Sequence, residues 1–314
     1  MHPDYNLKYL WYTLLKEVFM DVETEKKFAA RLSIVSNGLI IIFKLIAGFI
    51  SGSMGIISEA IHSMSDFLAS VLTYLAVLRS SQPADKEHPF GHGRYEDLAG
   101  FIEGVLIIIA SFYIVWEACK KIITASSFEF DSTLGIIVMS IAVLANLVVS
   151  GYLFKVAKKT DSVALHADAK HLSTDVYSSI GVLIGLVLIK ITGFTLLDPL
   201  IAIFVALIIL KAGISITKET LNNLVDGTLP DEDLKQIEEI LNNCEKINGY
   251  KNLKSRKSGP FRDINLTLLC EENMSLKDCH EICDYIENKI KTAFPNSQTI
   301  IHCEPCKAEK LVNV

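Results

Sequence analysis

A membrane-embedded, all-α bundle of six helices followed by a small α+β domain is the fold class that this sequence predicts, on three observations. Six apolar stretches lie at about residues 33–52, 55–78, 98–123, 132–156, 163–189 and 196–217, each near the ~20 residues that cross a hydrocarbon core. Half of the 314 residues are hydrophobic and the mean hydropathy is +0.36, high for a chain that meets only water. From Asp226 onward the composition turns polar. The organisation expected is an N-terminal cytoplasmic segment over 1–30, a six-helix transmembrane domain over 31–222 and a cytoplasmic domain over 226–307.

Taken in order, the first segment mixes Trp11, Tyr12, Leu14, Leu15, Val18 and Phe19 with Lys8, Lys16, Lys26 and Lys27. It lacks the apolar run and small-residue cleavage site of a signal peptide, and reads as an amphipathic helix on the membrane surface or as a cytosolic tail. Lys and Arg in the short loops set the orientation of the six spans. An inside N-terminus places Lys26, Lys27, Arg31, Arg79, Lys86, Arg94, Lys155, Lys158, Lys159 and Lys218 in the cytoplasm and leaves Lys120, Lys121 and Lys190 outside. Both termini are therefore expected in the cytoplasm of a multi-pass integral membrane protein. In the polar part, LPDEDLKQIEEILNNC opens on a Pro-Asp helix start, YKNLKSRKSGPFRDINLTLLC reads as two strands joined at Ser-Gly-Pro, SLKDCHEICDYIENKIKTAF as an amphipathic helix and SQTIIHCE as a last strand. The order αββαβ makes a half-covered sheet.

Two charged triplets of identical spacing lie inside the second and fifth apolar stretches: Glu59, His62 and Asp66, and Asp168, His171 and Asp175. Positions i, i+3 and i+7 fall on one helical face. A carboxylate near the bilayer centre costs several kcal/mol, so it is expected to face the bundle interior and a partner. At ~1.5 Å per residue, Asp66 and Asp175 each lie about 18 Å deep, from opposite sides, with His62 and His171 about one turn away. Two imidazoles and two carboxylates are four ligands of the kind that Zn²⁺ takes in tetrahedral geometry. An imidazole binds metal only when neutral, so metal and proton compete for the same nitrogen, which is the chemistry of a metal/proton antiport. Glu59 and Asp168 then mark the outer and inner mouths of a cation pathway; alternatively each sits in interfacial water, Asp168 near the N-terminal dipole of its helix. Between the second and third stretches, SSQPADKEHPFGHGRYED sets Asp85, His88 and His92 among prolines and glycines, a constrained turn rich in nitrogen and oxygen ligands.

The net charge of −6 gives no reason to expect nucleic acid. Seven cysteines, six of them at Cys244, Cys270, Cys279, Cys283, Cys303 and Cys306, are expected to stay thiols in a reducing cytoplasm. An enzyme is disfavoured, because four protein ligands leave no open coordination position for substrate or water; no resident cofactor is expected. A sensor that binds metal in its C-terminal domain needs no charged quartet at membrane depth.

On the strings SEAIHSMSD, QPADKEHPFGHGRYE, LHADAKHLSTD, NLVDGTLPDE, SRKSGP and IIHCEPC, the sequence resembles the cation diffusion facilitator family from about residue 30 to 307. The resemblance implies a homodimer with a metallochaperone-like cytoplasmic domain that exports a divalent cation against protons through His62, Asp66, His171 and Asp175. A His/Asp plus His/Asp quartet looks like the zinc type, with Fe²⁺, Co²⁺, Ni²⁺, Cd²⁺ and Mn²⁺ as the alternatives. It further implies a second metal site at Asp85, His88 and His92, an inter-subunit charge pair of Arg94 and Asp226, and a regulatory metal site, for Zn²⁺ as ligand, at His280, His302 and Glu304. Lys251 and Thr267 stand where some members have histidine. Cys279, Cys283, Cys303 and Cys306 lie nearby in sequence, either as substitute thiolate ligands or as buried core residues. The short chain without a long His-rich loop is expected in a prokaryotic plasma (inner) membrane.

Overall fold

The computed structural model describes residues 22–51, 54–124, 133–192, 197–244 and 246–306. The chain divides into two compact units, Met1–Thr220 and Leu221–Val314.

Six long helices build the first: α1 (Val22–Ser51), α2 (Met54–Ser80), α3 (Arg94–Thr124), α4 (Thr133–Thr160), α5 (Val163–Thr192) and α6 (Leu197–Leu224). The windows Val22–Ala47, Arg94–Lys120, Ser140–Thr160 and Pro199–Leu224 are long and apolar enough to cross a membrane. Helices α2 and α5, at 27 and 30 residues, have the length as well, but carry their acids inside the helix. The interior is built of small and branched side chains: Ala29, Ala30, Ala76, Val77, Leu153, Val156, Ala164, Leu165, Ala169 and Leu172 form one buried cluster. Large apolar side chains point the other way, with Phe112, Phe204 and Val148 at 60%, 66% and 70% exposure. In water such a surface would aggregate; against lipid tails it is satisfied.

Close packing of α3 on α6 depends on small residues. A Cβ at Gly104 would lie 2.9 Å from the backbone nitrogen of Thr217, and one at Gly213 would lie 3.2 Å from the Gly104 carbonyl. Gly100 and Gly104, one turn apart, are therefore a contact face of the kind that draws membrane helices together.

Buried charges fasten the end of the bundle that carries the 81–93 loop. The Lys26 ammonium, on α1, pairs with Glu96 at the start of α3, with side chains only 4% and 0% exposed. The same carboxylate accepts from the Ser80 hydroxyl of α2 at 2.6 Å and from Ser162, which caps α5 by accepting from Leu165 N–H at 3.4 Å. One glutamate thus ties four helices.

The second unit runs α7 (Asp231–Asn242), β1 (Gly249–Ser258), β2 (Phe261–Glu271), α8 (Leu276–Ala293) and β3 (Ser297–Cys306). The sheet order is β1-β2-β3, antiparallel then parallel. Gly259, at φ +56°, supplies the left-handed residue of the Ser-Gly-Pro turn between β1 and β2. Three acids fill the first turn of α7, and Ser275 caps α8 by accepting from Asp278 N–H at 3.2 Å. Ile237 and Leu241 of α7, Ile282, Ile286 and Ile290 of α8, and Ile264, Leu266 and Leu268 of β2 make the core. Alternation on β2 leaves Thr267 on the opposite, helix-free face, aligned with Lys251 on β1 and His302 on β3.

The architecture predicted from sequence, a six-helix membrane domain and an αββαβ domain, is the one found.

Candidate functional site

Helix α2 packs against α5, and this contact places three of the expected quartet side by side. Asp66 on α2, and His171 and Asp175 on α5, each offer a ligand atom, all within 4.8 Å of one another. His171 Nε2 lies 3.2 Å from Asp66 Oδ1. Asp66 and His171 are 8% and 7% exposed, and among the described residues His171 Nδ1 has no hydrogen-bond partner. Ligand atoms of a tetrahedral site at ~2.0–2.2 Å from a metal stand about 3.3–3.6 Å apart, so the three groups need little movement to share one cation. Glu59 and His62 fall on α2, but their side chains lie outside the described residues.

Asp168 departs from the interfacial alternative. It is fully buried one turn before His171, its Oδ1 accepting from Ser70 at 3.3 Å; Ser70 in turn contacts Ser33 at 2.9 Å and accepts from Asn37 at 2.7 Å. Among the described residues its Oδ2 has no hydrogen-bond partner. Glu103 on α3, also 0% exposed and hydrogen-bonded by Thr73, leaves Oε2 equally without one. Sequence reading missed Glu103, although a lone acid inside FIEGVLIII was the signal. It also missed Lys44, a buried amine of α1 that donates to Ser63 of α2 at 2.7 Å.

The loop cluster assembles too. Asp85, His88 and His92 bring ligand atoms within 4.8 Å, with Asp85 3.6 Å from His88 Nδ1 and 3.4 Å from His92 Nε2. Local backbone geometry sets this up: Asp85 Oδ1 accepts from the N–H groups of Glu87 at 2.9 Å and His88 at 2.7 Å, an Asx-type turn. The His88 N–H holds the Asp85 carboxyl below its usual range, with the Glu87 N–H and both imidazoles adding to the effect against partial desolvation. Gly91, at φ +84°, turns the chain so that His92 faces inward, fully buried by its side chain.

The expected site in the second unit is laid out differently. His280, on α8, lies 3.8 Å from Asp284, whereas on β3 the exposed His302 lies 3.9 Å from the half-buried Glu304. Among the described residues, no ligand cluster contains all three. Lys251 donates to Glu304 at 2.7 Å and holds its carboxyl below the ordinary carboxylate value, so an ammonium occupies the place of a cation there. Asp226, exposed at φ +61°, accepts from Arg256 at 3.1 Å within its own unit; Arg94 is exposed at the start of α3.

A lipid-facing helical bundle with carboxylates and an imidazole buried at its centre defines a membrane protein built to handle cations. Residues 30–225 match the model of the cation efflux transmembrane domain, and 229–306 that of the cation efflux protein cytoplasmic domain. The chain belongs to the cation diffusion facilitator family of cation efflux transporters. It is 32% identical over 278 residues to the cation-efflux pump FieF of Citrobacter koseri, covering 88% of this chain and 92% of that one. It is likewise 32% identical over 268 residues to the uncharacterized transporter sll1263 of Synechocystis, covering 85% and 86%. A solved structure of CzrB is 29% identical and covers 25% of this chain and 98% of that chain, with a TM-score of 0.24.

Proposed function

We propose that this transporter exports a divalent cation, Zn²⁺ first, from the cytoplasm in exchange for protons, and that Asp66, His171 and Asp175 with His62 are its transport site. The observation that carries the reading is the cluster of two carboxylates and an imidazole within 4.8 Å inside an apolar bundle. Two carboxylates match the charge of one divalent ion, and the imidazole exchanges metal for proton. Asp168 and Glu103 extend the acidic lining toward α3. Asp85, His88 and His92 form a second site on the loop, and the protein works as a homodimer, with Arg94 and Asp226 as a charge pair between subunits. The membrane is a bacterial inner membrane, with both termini in the cytoplasm. Nitrogen and oxygen donors do not by themselves separate Zn²⁺ from Fe²⁺, Co²⁺, Ni²⁺, Cd²⁺ or Mn²⁺.

The test is ⁶⁵Zn²⁺ uptake into proteoliposomes with and without an imposed pH gradient, in wild type and Asp175→Ala, with Mn²⁺ and Fe²⁺ as competitors. Gradient-dependent flux that vanishes in the variant is expected. Zinc flux retained in Asp175→Ala or Asp66→Ala refutes the site, transport of a competitor alone refutes the choice of metal, and no flux of any ion from folded protein favours a sensor.

A further inference from the structure

Four thiols converge inside the second unit, on the face of the sheet opposite to His302. Cys270 is on the helix-facing side of β2, two residues beyond Leu268. Cys303 is the cross-strand neighbour of Leu268 on β3, on that same face. Cys279 and Cys283, one turn apart on the first half of α8, complete the group. Cys270, Cys279 and Cys283 are buried, at 3%, 8% and 7% exposure, and Cys303 is partly covered.

The sulphurs face one another. Cys270 Sγ is 3.5 Å from Cys279 Sγ, Cys283 Sγ is 3.2 Å from Cys303 Sγ, and the thiols of Cys270, Cys279 and Cys303 lie mutually within 4.8 Å. These separations are well beyond the ~2.05 Å of a disulfide, and all seven cysteines are free. The two direct separations are a few tenths of an ångström under the spacing of about 3.8 Å that four sulphurs adopt around one tetrahedral ion at ~2.3 Å, so binding would spread the thiols slightly. An inert core would scatter its cysteines among aliphatic neighbours, as Cys244 is placed within the same core; here two strands and a helix each turn sulphur to one point.

We infer that Cys270, Cys279, Cys283 and Cys303 form a binding site for a thiophilic divalent cation, of the Zn²⁺ and Cd²⁺ class, in the core of the cytoplasmic domain. Thiolate donors select such ions over Mg²⁺, Ca²⁺ and Mn²⁺, which prefer oxygen. Binding is a proton exchange: each coordinating thiol loses its S–H proton to solvent as its sulphur bonds the metal, with no change of oxidation state. Burial and then the neighbouring thiol of Cys279 push Cys270 up to about 12, and burial foremost raises Cys283 and Cys303. Because its ligands come from β2, β3 and α8, the ion clamps the helix onto the sheet, and occupancy stabilises the domain by mass action. The site is independent of the transport reading, as its ligands are sulphur and sit in the other domain.

The experiment uses full-length reduced protein in detergent, titrated with Co²⁺ and followed by absorbance. A saturable thiolate-to-cobalt charge-transfer band, bleached by Zn²⁺, is expected. It persists in Asp175→Ala and disappears in Cys279→Ser/Cys303→Ser. A wild type without the band, or a band unchanged in the cysteine variant, overturns the proposal. Should that variant misfold, wild-type protein suffices: slow alkylation with and without Cd²⁺, read cysteine by cysteine by mass spectrometry. Cd²⁺ is expected to slow Cys270, Cys279, Cys283 and Cys303 about tenfold or more and leave Cys119 and Cys306 unchanged. Equal rates with and without Cd²⁺, or protection of Cys119 or Cys306 instead, overturn it.

Discussion

Replacing Asp175 by Asn tests whether charge balance or mere ligand count governs the buried cluster. With neutral imidazoles, the two ligand carboxylates Asp66 and Asp175 together carry two negative charges, which a bound divalent ion balances. Asp175→Asn keeps the volume and an oxygen donor but leaves one net positive charge in a place where Asp66 and His171 are 8% and 7% exposed. A single charge at membrane depth costs about 2.5–3.5 kcal/mol, and at ~1.4 kcal/mol per decade that weakens metal binding about a hundredfold. His171→Gln also removes a ligand, together with the 3.2 Å contact to Asp66, but changes no charge. Its loss is set by one polar interaction, about 1.5 kcal/mol or roughly tenfold. Initial rates of flux into dye-loaded proteoliposomes across a metal concentration series give both apparent affinities. A larger loss for His171→Gln than for Asp175→Asn would refute the electroneutrality argument and put coordination geometry first.

Three further outcomes follow from the packing and the charges. Glu96→Ala strands the Lys26 ammonium, 4% exposed, and two hydroxyls; it should cost about 3–5 kcal/mol in detergent thermal unfolding, and Lys26→Met combined with Glu96→Gln should recover most of it. Gly104→Leu places side-chain atoms where a Cβ already stands 2.9 Å from Thr217 N, so a loss of about 1–3 kcal/mol is expected, read as a shift from monodisperse protein to aggregate on size-exclusion chromatography. Lys251→Met releases Glu304. The pair's contribution is present above the unfolded carboxylate value of about 4.3 and lost as pH falls through the lower folded one, so the Glu304 titration followed by NMR should move upward in the variant.

Legibility from sequence followed the physics of each feature. The apolar stretches and the α7, β1, β2, α8 and β3 strings could be read because length and periodicity are local properties. Asp66, His171 and Asp175 could be read because a charge in an apolar helix is costly wherever that helix packs. Lys26 could not: it counts in sequence as a loop cation that sets orientation, and only the fold brings Glu96, Ser80 and Ser162 around it. Asp168 was ambiguous for the same reason, since burial one turn into α5 depends on Ser33, Asn37 and Ser70 from two other helices.

The cytoplasmic domain carries this contrast furthest, because adjacent residues in its last strand have opposite environments. His302 and Cys303 are neighbours in sequence, yet the two-residue period of β3 sends His302 to the helix-free face beside Thr267 and Cys303 to the core face beside Leu268. On the helix-free face, Lys251 supplies a positive charge to Glu304. On the core face, four thiols meet with no fixed cation among them. For the sulphur site proposed above, selectivity should follow softness rather than the nitrogen and oxygen preferences of the proposed membrane site.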